Sequence, residues 1–167
     1  MKDISVALKT ALTMEKEGYA LYMSAAKKTA NKFGKITLEA IAVKELDHIK
    51  AIENYSKDKN LAVKLIHPMR KEDYLRPIMN AIKDQLDAVP PKDLELEKAY
   101  KIAMGLEQRS FDLYKSLAAG AEDAIVGKFF EFLMGEENIH YEILQETLQY
   151  LTKTGDWYRE QEKWNVD

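Results

Sequence analysis

Residues 44–48 read KELDH and residues 136–140 read EENIH, so Glu45 precedes His48, and Glu137 precedes His140, by three positions. On a helix that spacing puts both side chains of each pair on one face. Outward from the pairs, steps of three and four select Leu38, Ile41, Ile52 and Tyr55 around the first. Around the second they select Phe130, Leu133, Leu144 and Leu151. These are seam positions of the kind a helical bundle buries. In both seams the apolar pattern is interrupted in mid-helix by Glu and His.

A further seam precedes each of these. Ile4, Leu8, Ala11, Glu15, Gly18, Tyr22 and Ala25 form one, and Leu96, Tyr100, Ala103, Glu107, Ser110, Tyr114 and Leu117 the other. Here a lone glutamate interrupts the apolar pattern, 30 residues before its Glu-x-x-His pair. A shift of 92 residues superposes Glu15 on Glu107, Tyr22 on Tyr114, Glu45 on Glu137 and His48 on His140, without a gap. The chain therefore reads as two copies of one helical hairpin.

Glycine (7) and proline (4) are scarce among the 167 residues, and long periodic segments rich in Ala, Leu, Glu and Lys lie between the turn signals. This predicts an all-α, ferritin-like four-helix bundle over residues 1–152, with hairpins at about 3–58 and 93–152. The first helix is expected at about 3–30 and the second at about 35–58, with Asn31 and Gly34 marking the break. The third runs from about 93, with Asp93 as N-cap, to Gly120, and the fourth spans about 122–152. The crossover 60–92 is too long for a turn. Its stripe of Leu75, Ile78, Ile82 and Leu86 predicts a short helix with Pro77 in the first turn. The extension 153–167, with Trp157, Tyr158 and Trp164, is expected to pack on the bundle or a neighbouring subunit.

Composition excludes several functions. Cysteine is absent, which removes disulfides, thiolate zinc sites and cysteine-ligated iron–sulfur clusters from these residues. With 25 basic and 28 acidic residues the formal charge is −3, and a broad nucleic-acid surface is not expected. No apolar run approaches the roughly 20 residues of a membrane span, so no membrane partner and a cytoplasmic location are expected. No nucleophile–base pair or phosphate loop is visible.

Four seam carboxylates buried together are very costly unless compensated. Two divalent cations neutralise them, and neutral imidazoles complete the ligand shells. Glu15, Glu45, His48, Glu107, Glu137 and His140 are accordingly the expected metal ligands. Tyr22 and Tyr114 lie seven residues after Glu15 and Glu107 and are candidates to hydrogen-bond a ligand carboxylate. Gly18 and Ser110 are small and are expected to leave room for a small oxidant. His67, outside both motifs, reads as a surface residue.

At MEKEGYALY with KELDH, and LEQRSFDLY with EENIH, the chain resembles the rubrerythrin family of the ferritin-like superfamily. The resemblance extends over most of residues 3–152. It implies a di-iron centre in which Glu45 and Glu137 bridge the metals, Glu15 and Glu107 are terminal carboxylates, and each histidine holds one metal. Manganese or zinc are possible substitutes for iron. It implies an oxidoreductase that reduces H2O2 or O2, active in oxidative stress, as a homodimer or larger homo-oligomer. Full-length rubrerythrins add a rubredoxin domain; without cysteine here, electrons would come from a separate donor such as a rubredoxin. Rubrerythrins also carry a glutamate where this chain has Ser110, and that glutamate belongs to the ligand exchange of peroxide reduction. An iron-binding ferroxidase serving iron handling or storage is therefore the alternative, ahead of a zinc-holding structural bundle or a hydroxylase.

Overall fold

The computed structural model describes residues 4–58, 69–83 and 92–152. His67, Leu86, Pro90, Pro91 and the extension from Lys153 onward lie outside the described residues, as does the side chain of Ile82. Five helices follow in order: α1 (Ile4–Lys28), α2 (Lys32–Lys57), α3 (Lys71–Ile82), α4 (Leu94–Ala119) and α5 (Ala124–Thr152). No strand occurs among the described residues. The helices α1 and α2 form one antiparallel hairpin, α4 and α5 the other, and α3 packs on α2 and α5. This is the expected all-α, ferritin-like arrangement of two hairpins joined by a crossover with a short helix.

Local chemistry sets the helix ends. Asp93 caps α4 by accepting from the Leu96 N–H at 2.9 Å, and its other oxygen accepts from the Thr29 hydroxyl at 2.9 Å. That second bond ties the end of α1 to the start of α4. Gly120 ends α4, its N–H donating back to the Ser116 carbonyl.

The expected break at Gly34 is corrected. Asn31 is the N-cap of α2, its side chain accepting from the Gly34 N–H at 2.8 Å, so the helix begins three residues earlier and Gly34 lies inside it. Glycine there serves a close contact rather than a turn. A Cβ would stand 2.7 Å from Leu96 Cδ2, and the Tyr100 hydroxyl donates to the Gly34 carbonyl at 3.1 Å. Pro77 is corrected too: it sits in the middle of α3, which starts at Lys71 behind an Asp73 carboxylate accepting from the Arg70 N–H.

The seams of α2 and α5 are buried as predicted. At the ends of the other two the pattern drifts: Ile4 is 43% exposed, Ala26 replaces Ala25 inside, and Leu117 is only half-buried. A strict seven-residue repeat falls about 20° behind a straight helix per heptad, so its outermost members rotate off the core.

Two apolar clusters fill the bundle. One contains Leu38, Ile41, Tyr100, Ile143 and Leu144 together with Tyr74 and Ile78 of α3. The other contains Leu8, Ala11, Ile52, Phe129, Phe130 and Leu133. Between these plugs lies a layer of buried charge.

Candidate metal centre

All six expected ligands are buried, none more than 2% exposed, and the structure brings them together. Glu45, His48, Glu137 and His140 each present one ligand atom, and these atoms lie within 4.8 Å of one another. Both imidazoles face the cluster through Nδ1. His48 Nδ1 lies 3.2 Å from Glu15 Oε2 and 3.2 Å from Glu137 Oε1. His140 Nδ1 lies 3.1 Å from Glu45 Oε1 and 3.8 Å from Glu107 Oε2. The Glu45 carboxylate spans both halves, since its Oε2 is 3.7 Å from His48 Nδ1. The two rings are nearly parallel with centroids 5.3 Å apart.

Tyrosines fix the outer carboxylates crosswise. The Tyr22 hydroxyl donates to Glu107 Oε1, and the Tyr114 hydroxyl to Glu15 Oε1. Each hairpin thus orients the lone glutamate of the other, leaving the second oxygen of each facing inward. This is the carboxylate-holding role expected of Tyr22 and Tyr114. Gly18 lies beside the cluster: a Cβ there would meet Leu106 Cδ2 at 3.2 Å and Glu45 Cδ at 3.8 Å.

Electrostatics show what the residues do on their own. Burial, aided by repulsion from Glu45, pushes the Glu15 carboxyl up to about 7. Burial and the charges of Glu15, Glu107 and Glu45 push Glu137 well above the usual carboxylate range. Burial and the charge of Glu107 push the Glu45 carboxyl up, but its neighbours Glu15, His140 and His48 outweigh them and hold it down to about 2. Burial disfavours a charged His140, but Glu107 and Glu45 outweigh it and raise the ring to about 9. The same contest raises His48, with Glu15 as the main charge. Protons therefore stand in for positive charge among the buried acids and imidazoles.

They leave the layer unsatisfied. Glu45 Oε1, Glu107 Oε2, Glu137 Oε1 and His140 Nδ1 are buried without a hydrogen-bond partner, and all four point into the cluster. Inward-facing oxygens and imidazole nitrogens lacking donors are what a divalent cation takes up. The donor set fits a metal pair.

Two residues were missed by the seam reading. Glu136 is 4% exposed and Tyr74 3% exposed, and they join at 2.6 Å directly behind the histidines. Glu136 reads in sequence as an ordinary helix charge, and Tyr74 belongs to the crossover. The only sequence signal is the apolar stripe of α3, which requires that helix to dock on the bundle.

A four-helix bundle with a carboxylate–imidazole layer, one Glu from each of two helices and Glu-x-x-His from each of the others, defines a ferritin-like protein whose buried cluster could hold metal. The family model for rubrerythrin matches residues 7–148, most of the chain, which belongs to the rubrerythrin family. No curated protein and no solved structure gave a significant match. No described helix is long and apolar enough to cross a membrane.

Proposed function

We propose that this protein is a di-iron oxidoreductase of the rubrerythrin type, reducing H2O2 or O2 with electrons from a separate donor protein. The observation that carries the reading is the set of four orphaned atoms converging between Glu45, Glu107, Glu137 and His140. Glu45 and Glu137, with Glu15, His48, Glu107 and His140, would hold the two metals. Bound iron would supply one electron per ion to the oxidant.

The chain's own residues supply the rest. Tyr22 and Tyr114 hold Glu107 and Glu15 in one orientation and keep their own protons, because burial raises both phenols well above their usual range. The apolar plugs on either side exclude water, which strengthens every interaction inside. Reduction of one peroxide consumes two electrons and two protons and releases two waters. The donor is proposed to be a small redox protein such as a rubredoxin, because the chain's 167 residues contain no cysteine.

Stopped-flow mixing of anaerobic Fe(II)-loaded protein with H2O2 and, separately, with O2 tests this. The expected result is oxidation of two Fe(II) per chain, faster with peroxide. Absence of oxidation by either would overturn the proposal. Buried Ser110 favours a second reading, a ferroxidase for iron handling, because it stands where rubrerythrins have the glutamate used in peroxide turnover. Faster oxidation by O2 with release of mobile Fe(III) would support that alternative.

A further inference from the structure

With both histidines facing the cluster through Nδ1, two outward nitrogens need partners. His140 Nε2 lies 3.3 Å from the Tyr74 hydroxyl. That hydroxyl donates to Glu136 Oε2 at 2.6 Å. The same carboxylate oxygen lies 4.0 Å from His48 Nε2, which is buried without a hydrogen-bond partner. The other oxygen of Glu136 accepts from the Met69 backbone N–H at 3.4 Å, on the segment leading into α3. One phenol–carboxylate pair therefore stands behind both histidines, and half of it comes from the crossover.

We propose that Tyr74 and Glu136 are positioning residues for the metal centre, clamping both imidazoles and tying metal binding to the docking of α3. This rests on the metal-centre reading above. The chemistry is that of tautomers. A neutral imidazole offers Nδ1 to a metal only when its proton is on Nε2, and that N–H then needs an acceptor. The Tyr74 oxygen accepts from His140 while its own hydrogen goes to Glu136. Glu136 Oε2 is the acceptor within reach of His48, once the ring closes the 4.0 Å separation. An acceptor behind a ligating histidine fixes its orientation and raises its basicity, and removing one typically costs 10–100-fold in metal affinity.

The coupling is reciprocal. If docked α3 strengthens metal binding, metal must strengthen the docking of α3 by the same factor. Without that device, α3 would be held by the packing of Ile78 and Tyr74 and by the Lys71 ion pairs to Glu142 and Glu146, and metal would leave it indifferent.

The test uses Co(II), whose visible bands report its ligand field. The full chain and its Tyr74→Phe and Glu136→Gln variants are titrated with Co(II) against a competing chelator. Each variant is expected to bind about 10–100-fold more weakly with altered bands, while its metal-free circular dichroism stays that of the parent. The double variant should lose little more than the weaker single, because the two residues form one network. Affinities and bands matching the parent in both variants would overturn the proposal. Hydrogen exchange of residues 71–82 in the parent gives a second reading that needs no variant. Slower exchange with Co(II) is expected, and unchanged exchange would contradict the coupling. A parent that takes up no Co(II) would overturn the metal-centre reading, and this inference with it.

Discussion

The two hairpins carry the same Glu and His residues but not the same surroundings. Glu15, Glu45 and His48 repeat as Glu107, Glu137 and His140, and the two tyrosines cross between the halves to matching carboxylates. One position outside this set breaks the symmetry. The shift that pairs Glu45 with Glu137 pairs Lys44 with Glu136. Tyr74 sits between those two residues, its hydroxyl on Glu136 and its ring under Lys44 Nζ at 5.5 Å. The repeat builds the carboxylate–imidazole layer, and the crossover distinguishes its two sides.

The hardest blow to this comparison is removal of a spanning carboxylate. Glu45→Ala and Glu137→Ala should each abolish binding of the metal pair while leaving a helical fold, checked by metal analysis and circular dichroism. Two metals per chain retained in either variant would break the equivalence of the hairpins.

A smaller effect is expected from the crossed tyrosines. Tyr22→Phe and Tyr114→Phe should weaken metal affinity by similar factors, on the order of 10-fold each. Chelator competition measures both. A large effect in only one would show that the pseudo-symmetry stops at the ligands.

Stability against pH sharpens the picture further. The folded pKa values of Glu15, about 7 against 4.5, and His140, about 9 against 6.5, are raised. Such groups stabilise fully below their unfolded pKa, and that stabilisation is lost as pH rises through the folded value. Metal-free protein should therefore lose melting temperature from pH 5 to pH 9. Metals compete with those protons, so the gap between loaded and metal-free melting temperatures should widen over the same range. A constant gap would contradict the proton-filled layer.

The smallest contrast concerns Gly18 and its repeat equivalent Ser110. Gly18→Ala crowds Leu106 Cδ2 but gains about 1 kcal/mol of helix propensity, so denaturant unfolding should shift by no more than about 1 kcal/mol. Ser110→Gly, which only removes atoms from the matching position, should leave the ligand geometry and metal stoichiometry intact.

The carboxylate–imidazole layer was legible because burial and charge conflict at few positions. Glu15, Glu45, Glu107 and Glu137 fall where an apolar residue is due, and the histidines share their faces. Glu136 carries no such conflict. It precedes Glu137 on a helix with many charges, and only α3 makes its position an interior one. Tyr74 could not be paired with it because apolar periodicity places a helix without choosing its docking partner. Gly34 misled for a related reason. Glycine reads as a break, whereas its demand here is the close approach of Leu96 from α4, a contact between distant segments. Ile4, placed inside by the seven-residue repeat, turned out exposed because helical drift accumulates toward an end.

The central claim is that two metals lie between the Glu45 and Glu137 carboxylates. Anomalous diffraction at the iron edge from crystals grown with Fe(II) addresses it directly. Two peaks per chain are predicted, roughly 3.5–4 Å apart, one beside His48 Nδ1 and one beside His140 Nδ1. A single peak, or peaks away from these six residues, would contradict the account.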